Sequence, residues 1–259
     1  MHVAVKQTQE ERQTGIIELI IERGSTRVEE LSEHFNVSAM TLYRDLAALE
    51  ARHIITRHKG TVSLLVSSIS ETPFEFRLRQ EAEAKMAVGK AAAKIVDSYA
   101  TVFLDDSTTA HNVIDFIADP GSKEFITNSL ASARKIADSE HKSLTVLGGK
   151  LVRQLDAMFG PTTTRTVREL AFETAVFSTA SIKDGTIFHP YSDVAGFKSE
   201  LIKRVSVPIL VATGSKFDRV ALHRIADVAD FKYLVVDDSI SDTAYNELSS
   251  LTHVIVAGR

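Results

Sequence analysis

Several polar clusters between residues 105 and 216 carry the side chains needed to hold a phosphorylated, hydroxyl-rich small molecule. Asp105-Asp106-Ser107-Thr108-Thr109 follows the apolar run Val102-Phe103-Leu104 and leads into helical spacing. Free N–H groups and the macrodipole at a helix start attract an anion, and the three hydroxyls add donors. Thr127-Asn128-Ser129 follows Phe125-Ile126 and again opens a helix. Gly148-Gly149 follows Val146-Leu147 and lets a ligand approach bare backbone. Lys198 and Lys216, the latter in Gly214-Ser215-Lys216, supply cations that can neutralise a phosphate. The candidate ligand contacts are therefore Asp105, Ser107, Thr108, Thr109, Thr127, Asn128, Ser129, Gly148, Gly149, Lys198 and Lys216. Asp105, Asp106 and Lys198 are also the candidate bases for an aldose–ketose isomerisation, although no complete catalytic motif surrounds them.

A second kind of chemistry lies near the start of the chain. Leu42, Leu46 and Leu49 recur at i, i+4 and i+7 and define the buried stripe of a helix opened by Ser38. Met40, Arg44 and Ala47 then lie opposite, with Thr41 and Tyr43 on the flanks. A guanidinium at Arg44 can bond a guanine edge bidentately or hold a phosphate. The hydroxyls of Ser38 and Thr41 suit either partner. Residues 54–57 and 61–64 are short β-type runs, and His58-Lys59-Gly60 between them makes a tight turn. Arg57, His58 and Lys59 at its tip form a wing able to reach a neighbouring groove.

The elements that must position these groups follow from periodicity. Residues 10–23 place Ile16, Ile17, Leu19, Ile20 and Ile21 at helical spacing, with Gly24 as the stop. Thr26 is the expected N-cap of a short second helix, with Glu29 completing a capping box. That helix buries Val28, Leu31 and Phe35 and turns at Asn36. Two short helices, a tight turn and a hairpin describe a winged helix-turn-helix over residues 1–66. The Ser-rich stretch 67–73 is the expected boundary, and 67–98 a linker and connecting helix. From 99 to 259 short apolar runs alternate with helical patterns such as 199–204 and 221–228. The runs are 101–104, 124–127, 144–147, 174–177, 207–212, 233–236 and 253–257. This alternation predicts an α/β domain with a largely parallel sheet, whose strand ends carry the polar clusters.

Composition closes off other classes. The chain has 259 residues, 44% hydrophobic and 25% charged, so a disordered or fibrous chain is excluded. It has no Cys, which removes a disulfide framework, a thiolate zinc site and a cysteine nucleophile. The nine His show no metal-ligand spacing, and no metal or cofactor is expected. No run approaches ~18 apolar residues, and the first 13 residues lack the apolar core of a signal peptide, so the expected location is the cytoplasm. The net charge of −4 points to no partner as a whole. Its distribution does: residues 1–37 carry a net −3, and residues 38–66, with Arg44, Arg52, Arg57 and Lys59, carry a net +2.

The residues 11–20 (Glu-Arg-Gln-x-x-Ile-Ile-Glu-Leu-Ile), 28–38 (Val-Glu-Glu-Leu-Ser-Glu-His-Phe-Asn-Val-Ser) and 41–46 (Thr-Leu-Tyr-Arg-Asp-Leu) resemble the DNA-binding domain of the DeoR family of bacterial transcriptional regulators. The resemblance continues through Asp-x-x-Thr-Thr at 105–109, Thr-Asn-Ser at 127–129, Leu-Gly-Gly at 147–149, Gly-Pro at 160–161, Lys198 and Ser-Lys-Phe at 215–217. These resemble that family's effector domain, which shares its fold with ribose-5-phosphate isomerases. The resemblance implies a repressor of carbohydrate-metabolism genes, assembled as a dimer or tetramer, that binds double-stranded operator DNA under control of a sugar phosphate. The alternative is an isomerase-like enzyme with an appended helical domain. This chain departs from the family pattern at Tyr43 (usually Arg), His53 (Gly), Ser107 (Gly), Val194 (Glu) and Thr213 (Asp). Thr213 removes a carboxylate from the ligand side, and Asp193 is the expected substitute for the acid missing at 194.

Overall fold

The computed structural model describes residues 8–258, apart from 24, 52–53, 65–70, 141 and 218. The expected stop at Gly24, Arg52, His53, His141 and residues 67–70 of the Ser-rich stretch lie outside the described residues. The chain divides into two compact units, Met1–Val66 and Ser67–Arg259.

In the first unit, α1 (Gln9–Arg23), β1 (Ser25–Arg27), α2 (Val28–His34) and α3 (Ala39–Ala51) precede the hairpin β2 (Ile55–His58) and β3 (Thr61–Leu64). The expected apolar stripes close one core of Ile16, Ile20, Leu31, Leu42, Leu46, Leu49 and Val62, each fully buried. Phe35 lies half-buried against Gly15, where an added Cβ would come within 2.8 Å of its ring. Asn36 turns the chain at φ 47°, as a small polar residue can. Lys59 and Gly60 both have positive φ, the geometry of a type I′ hairpin turn. One local expectation fails. Thr26 does not cap α2; the N-cap is Arg27, with no side-chain cap bond. Residues 25–27 instead pair antiparallel with β3, in the order β1-β3-β2. Backbone pairing with a distant strand outweighs the single bond of a local cap.

The second unit begins with α4 (Phe74–Arg79) and α5 (Ala82–Val96). Seven strands form its main sheet: β4 (Thr101–Leu104), β5 (Glu124–Thr127), β6 (Ser143–Val146), β9 (Phe172–Phe177), β12 (Val205–Ala212), β14 (Tyr233–Val236) and β15 (His253–Val256). Between them run α6 (Thr108–Val113), α7 (Leu130–Ala137), the hairpin β7 (Lys150–Val152) and β8 (Ala157–Phe159), and α8 (Pro161–Arg168). Then come β10 (Ser181–Lys183), β11 (Thr186–His189), α9 (Ser192–Ile202), β13 (His223–Asp227) and α10 (Asp242–Ser249). The sheet order is β15-β14-β12-β9-β4-β5-β6, and its neighbouring strands are parallel. Strand alternation divides the core in two. Val102, Leu104, Val176, Ile209 and Val211 pack with α5, α6 and α7 on one face. Phe103, Ala175, Phe177, Leu210 and Ala212 pack with α8, α9 and α10 on the other.

Three expectations change here. Residues 74–98 are two helices, not one, because Glu81 between them adopts φ 52°, ψ 39°. They are also not an independent connector: Val88, Ala92, Ala93 and Val96 of α5 are buried in the second core. Within residues 221–228 the chain forms β13 (His223–Asp227) rather than an α-helix. Ala221, Ile225 and Val228 sit at helical spacing, but pairing with β11 in the small sheet β10-β11-β13 decides the conformation.

Candidate functional site

The main sheet reverses its strand order between β4 and β9, since the chain builds outward first through β5 and β6 and then through β12, β14 and β15. Open α/β sheets bind ligands at the carboxyl ends of strands beside such a reversal. A pocket lies there, with Asp106, Ser107, Thr108 and Thr109 after β4 and Ser178 and Thr179 after β9. Its remaining walls are Glu71, Arg77, Gln80, Glu81 and Lys85 from the start of the unit, with His189, Lys198, Lys216 and Arg219. About 420 Å³ of space lies between these walls, a figure that includes open solvent.

The floor is a buried ion network. Lys198, projecting from α9, donates to Asp105 Oδ2 at 2.8 Å and to the Ser178 carbonyl at 2.9 Å, and forms an ion pair with Asp106 Oδ1 at 3.1 Å. Asp105 is further held by the N–H of Ser178 at 2.8 Å and by the N–H and hydroxyl of Ser107 at 2.9 and 2.5 Å. Burial alone would lower the Lys198 pKa, but the two carboxylates hold it above the usual lysine range. The ammonium is thus neutralised within the protein, and the three isomerase candidates, Asp105, Asp106 and Lys198, are tied up in one ion network. Ser107 also caps α6, accepting from the Ala110 N–H at 3.1 Å.

The walls differ from the floor. Lys85 is 3% exposed and donates to the Arg77 carbonyl; Lys216 is 9% exposed. Among the described residues neither has an ion-pair partner. Burial pushes the Lys85 ammonium down to about 7, with repulsion from Lys216 and Arg77 opposed by Glu81. Burial, then Arg219, pushes Lys216 down to about 8. Arg77 pairs with Glu71 at 3.4 Å and donates from Nε to the Thr72 carbonyl at 3.1 Å. Its Nη2 is buried without a hydrogen-bond partner. Burial opposes ionisation of Glu71, yet Arg77, His189 and Lys216 hold its carboxyl well below the usual range. The His189 ring accepts the Tyr191 N–H at Nδ1, and its Nε2 lies 3.6 Å from Glu71.

The residues singled out from the sequence divide accordingly. Ser107, Thr108, Thr109, Lys198 and Lys216 line the pocket, with Asp105 directly behind. Thr127, Asn128 and Ser129 are fully buried at the end of β5 and are outside its lining. Thr127 bonds the Leu104 carbonyl at 2.7 Å, Asn128 the Met158 carbonyl at 3.0 Å, and Ser129 caps α7. Gly148 accepts from the Thr163 hydroxyl at 2.9 Å, and Gly149 packs so close to Thr163 and Phe159 that no Cβ would fit. Residues 71–85 were not read as part of a site. Arg77, Glu81 and Lys85 recur at i, i+4 and i+8, a charge spacing common to solvated helices that does not by itself mark a site. Glu81 places a carboxylate beside Thr213, accepting from the Thr213 hydroxyl at 3.0 Å. Val194 is buried in the core, where a carboxylate would have no water.

In the first unit α3 presents one coherent exposed face. Met40 is 75% and Tyr43 47% exposed, and Arg44 is exposed with no ion pair among the described residues. Ser38 accepts from the Thr41 N–H at 3.3 Å and opens the helix. Arg57 is not at the wing tip but beneath it, paired with Glu50 and stacked over the Tyr43 ring at 5.6 Å. His58 and Lys59 are exposed at the tip. On the buried side Arg12 pairs with Asp45 at 2.5 Å, tying α1 to α3.

A winged helix-turn-helix with an exposed recognition face, followed by an α/β unit with a cationic pocket, defines a ligand-responsive DNA-binding regulator. The DeoR-like helix-turn-helix domain model matches residues 12–68, and the DeoR C terminal sensor domain model matches residues 80–238. The chain belongs to the DeoR family of transcriptional regulators. It is 30% identical over 227 residues to the glycerol-3-phosphate regulon repressor of Escherichia coli (strain K12), covering 87% of this chain and 88% of that protein. It is 30% identical over 242 residues to the uncharacterized HTH-type transcriptional regulator YulB of Bacillus subtilis (strain 168), covering 92% of each. Among solved structures it resembles ribose 5-phosphate isomerase A of Methanocaldococcus jannaschii at 14% identity and TM-score 0.37, over 52% of this chain and 54% of that one. Its relatives are regulators, not enzymes. Among the described residues no helix is long and apolar enough to cross a membrane.

Proposed function

We propose that the pocket takes a small phosphorylated sugar or polyol as effector, and that its occupancy sets the affinity of the first unit for operator DNA. The observation that carries this reading is the pair of buried ammonium groups, Lys85 and Lys216, without ion-pair partners, beside the unsatisfied Nη2 of Arg77. Buried cations in this state lack the anion that would offset their desolvation. The relative in Escherichia coli is named for a glycerol-3-phosphate regulon, which agrees with a ligand of this class. Thr108 and Thr109 complete the phosphate contacts in this reading.

Coupling follows from the chain path. The segment 71–81 supplies Glu71, Arg77 and Glu81 to the pocket, and it is the chain that leads out of the DNA-binding unit. A phosphate that draws Arg77 away from Glu71 acts on this segment directly. Regulation requires only that the ligand bind two states with free energies differing by ~1–3 kcal/mol. A symmetric operator read by one α3 per half-site requires two copies of the chain or more.

The lysine pKa values give a direct test. In the folded apo protein they lie near 7 and 8, below the ordinary 10.5. Stability from these groups is greatest above 10.5 and is lost as pH falls toward 7, because there the unfolded chain holds more protons. A phosphate dianion reverses the shift, so binding takes up protons and weakens as pH rises past about 8. At pH 8 the phosphate itself, with a pKa of about 6, contributes none. Calorimetry with glycerol 3-phosphate at pH 8, in buffers of different ionisation enthalpy, should give net proton uptake. Binding with no uptake would remove the two lysines from the site.

DNA reading is tested on α3. Arg44→Ala should weaken binding to an operator fragment selected with the intact protein by about 10- to 100-fold, the value of one good base or phosphate contact. Unchanged mobility-shift affinity would remove Arg44 from the recognition face.

A further inference from the structure

Glu81 is held in a conformation its side chain does not favour. Its φ of 52° lies in the left-handed region, which Gly and Asn enter readily and Glu seldom does. Such conformations persist where the surroundings enforce them, and they cluster at ligand sites. Here the enforcement is visible. Thr213 Oγ1 donates to Glu81 Oε2 at 3.0 Å, and Ser215 Oγ donates to the same oxygen at 2.9 Å. Among the described residues Glu81 forms no ion pair, and Oε1 receives no hydrogen bond. The result is an exposed carboxylate on the pocket wall, anchored through one oxygen, with Oε1 bare of protein partners among the described residues and open to solvent or a ligand. It stands one helical turn before Lys85 and in the same pocket as Lys216.

A carboxylate accepts hydrogen bonds and donates none. It cannot seat a phosphate, and it repels any second acid group brought near it. It can receive hydroxyls. The pocket therefore has two functional ends: cations for the phosphate and one oriented acceptor for the remainder of the ligand. We infer that Glu81 is the specificity-determining residue of this pocket, receiving the hydroxyls of a polyol phosphate and excluding phosphates that carry a carboxylate in their place. This rests on the phosphorylated-ligand reading above. Discrimination of this kind needs both an attractive and a repulsive element, and one carboxylate supplies both.

Two probes isolate the effect. Glycerol 3-phosphate and 3-phosphoglycerate differ only in a terminal CH₂OH replaced by a carboxylate. The full chain should be titrated with each, and with inorganic phosphate, by calorimetry and thermal shift. The native protein should favour glycerol 3-phosphate by about tenfold or more, the value of a hydrogen bond to a charged group. Glu81→Gln, nearly the same in shape, should bring that ratio close to one while inorganic phosphate binds as before or more tightly. The double variant Thr213→Ala/Ser215→Ala keeps the carboxylate but releases it, and should lower the ratio part of the way. If both variants keep the native ratio, or if the native protein binds the two probes equally, Glu81 does not set specificity. If the native protein responds to none of the three probes, the phosphorylated-ligand reading itself falls, and this inference with it.

Discussion

Lys198→Met should lower the stability of the second unit by about 3–5 kcal/mol, the cost of leaving buried charges without their partner. The side chain is 2% exposed, and its ammonium joins Asp105, Asp106 and the Ser178 carbonyl beneath the pocket. Removing it leaves two carboxylates buried side by side. Asp105 keeps its bonds from Ser107 and Ser178, but Asp106 loses its only cation among the described residues. The loops after β4 and β9 are joined through this lysine and through Asp105, so the variant should also respond poorly to phosphate ligands. Denaturant unfolding of the full chain, following the transition that effector stabilises, measures the loss. A decrease below about 1 kcal/mol would class the network with exposed ion pairs and refute its structural role.

The same network bears on the isomerase alternative raised by Asp105, Asp106 and Lys198. A general base needs a carboxylate free to take a carbon-bound proton. In this pocket Asp105 and Asp106 both face an ammonium within 3.1 Å. The arrangement favours holding a ligand still over transforming it, in keeping with regulator relatives.

Local pattern reveals some of this architecture and conceals the rest for identifiable reasons. Strands β4, β5 and β14 match their apolar runs residue for residue, because each is paired on both sides within a parallel sheet. The stripe Leu42, Leu46, Leu49 likewise sits at 0% exposure, with Arg44 on the opposite face. Residues 221–228 mislead because Ala221, Ile225 and Val228 imitate a helix, while a non-local partner, β11, makes His223–Asp227 a strand. The site itself was half legible. Ser107, Thr108, Thr109 and Lys216 announce themselves as hydroxyls and a cation after strands. Arg77, Glu81 and Lys85 lie in an Ala-, Glu- and Lys-rich stretch that has the composition of any exposed helix. Only the burial of Lys85 and the left-handed turn at Glu81 distinguish it, and both arise from tertiary packing. Thr127, Asn128 and Ser129 lie outside the pocket lining: the two hydroxyls and the Asn128 Nδ2 serve carbonyls and a helix cap, and the Asn128 Oδ1 is buried without a partner.

Asp45→Ala should abolish operator binding although Asp45 faces away from the recognition surface. Asp45 is 1% exposed on the buried side of α3, and its carboxylate meets the Arg12 guanidinium of α1 at 2.5 Å. Loss of that carboxylate breaks the buried ion pair that ties α1 to α3, at a cost of about 3–5 kcal/mol. A unit of 66 residues has stability of the same order, since small domains bury little surface. The first unit should therefore unfold near room temperature and the mobility shift disappear. The effector-stabilised transition of the second unit should stay within about 0.5 kcal/mol of its native value, because the change lies in a separate compact unit. Arg12→Met combined with Asp45→Leu removes both charges, and should recover much of the stability that Asp45→Ala loses. If Asp45→Ala retains operator affinity, or if the double variant is less stable than the single one, the pair is not what fixes α3 on α1. Recovery of fold together with DNA binding would assign to Asp45 the task of setting the recognition helix in place and to Arg44, its neighbour on the exposed side, the task of reading the operator.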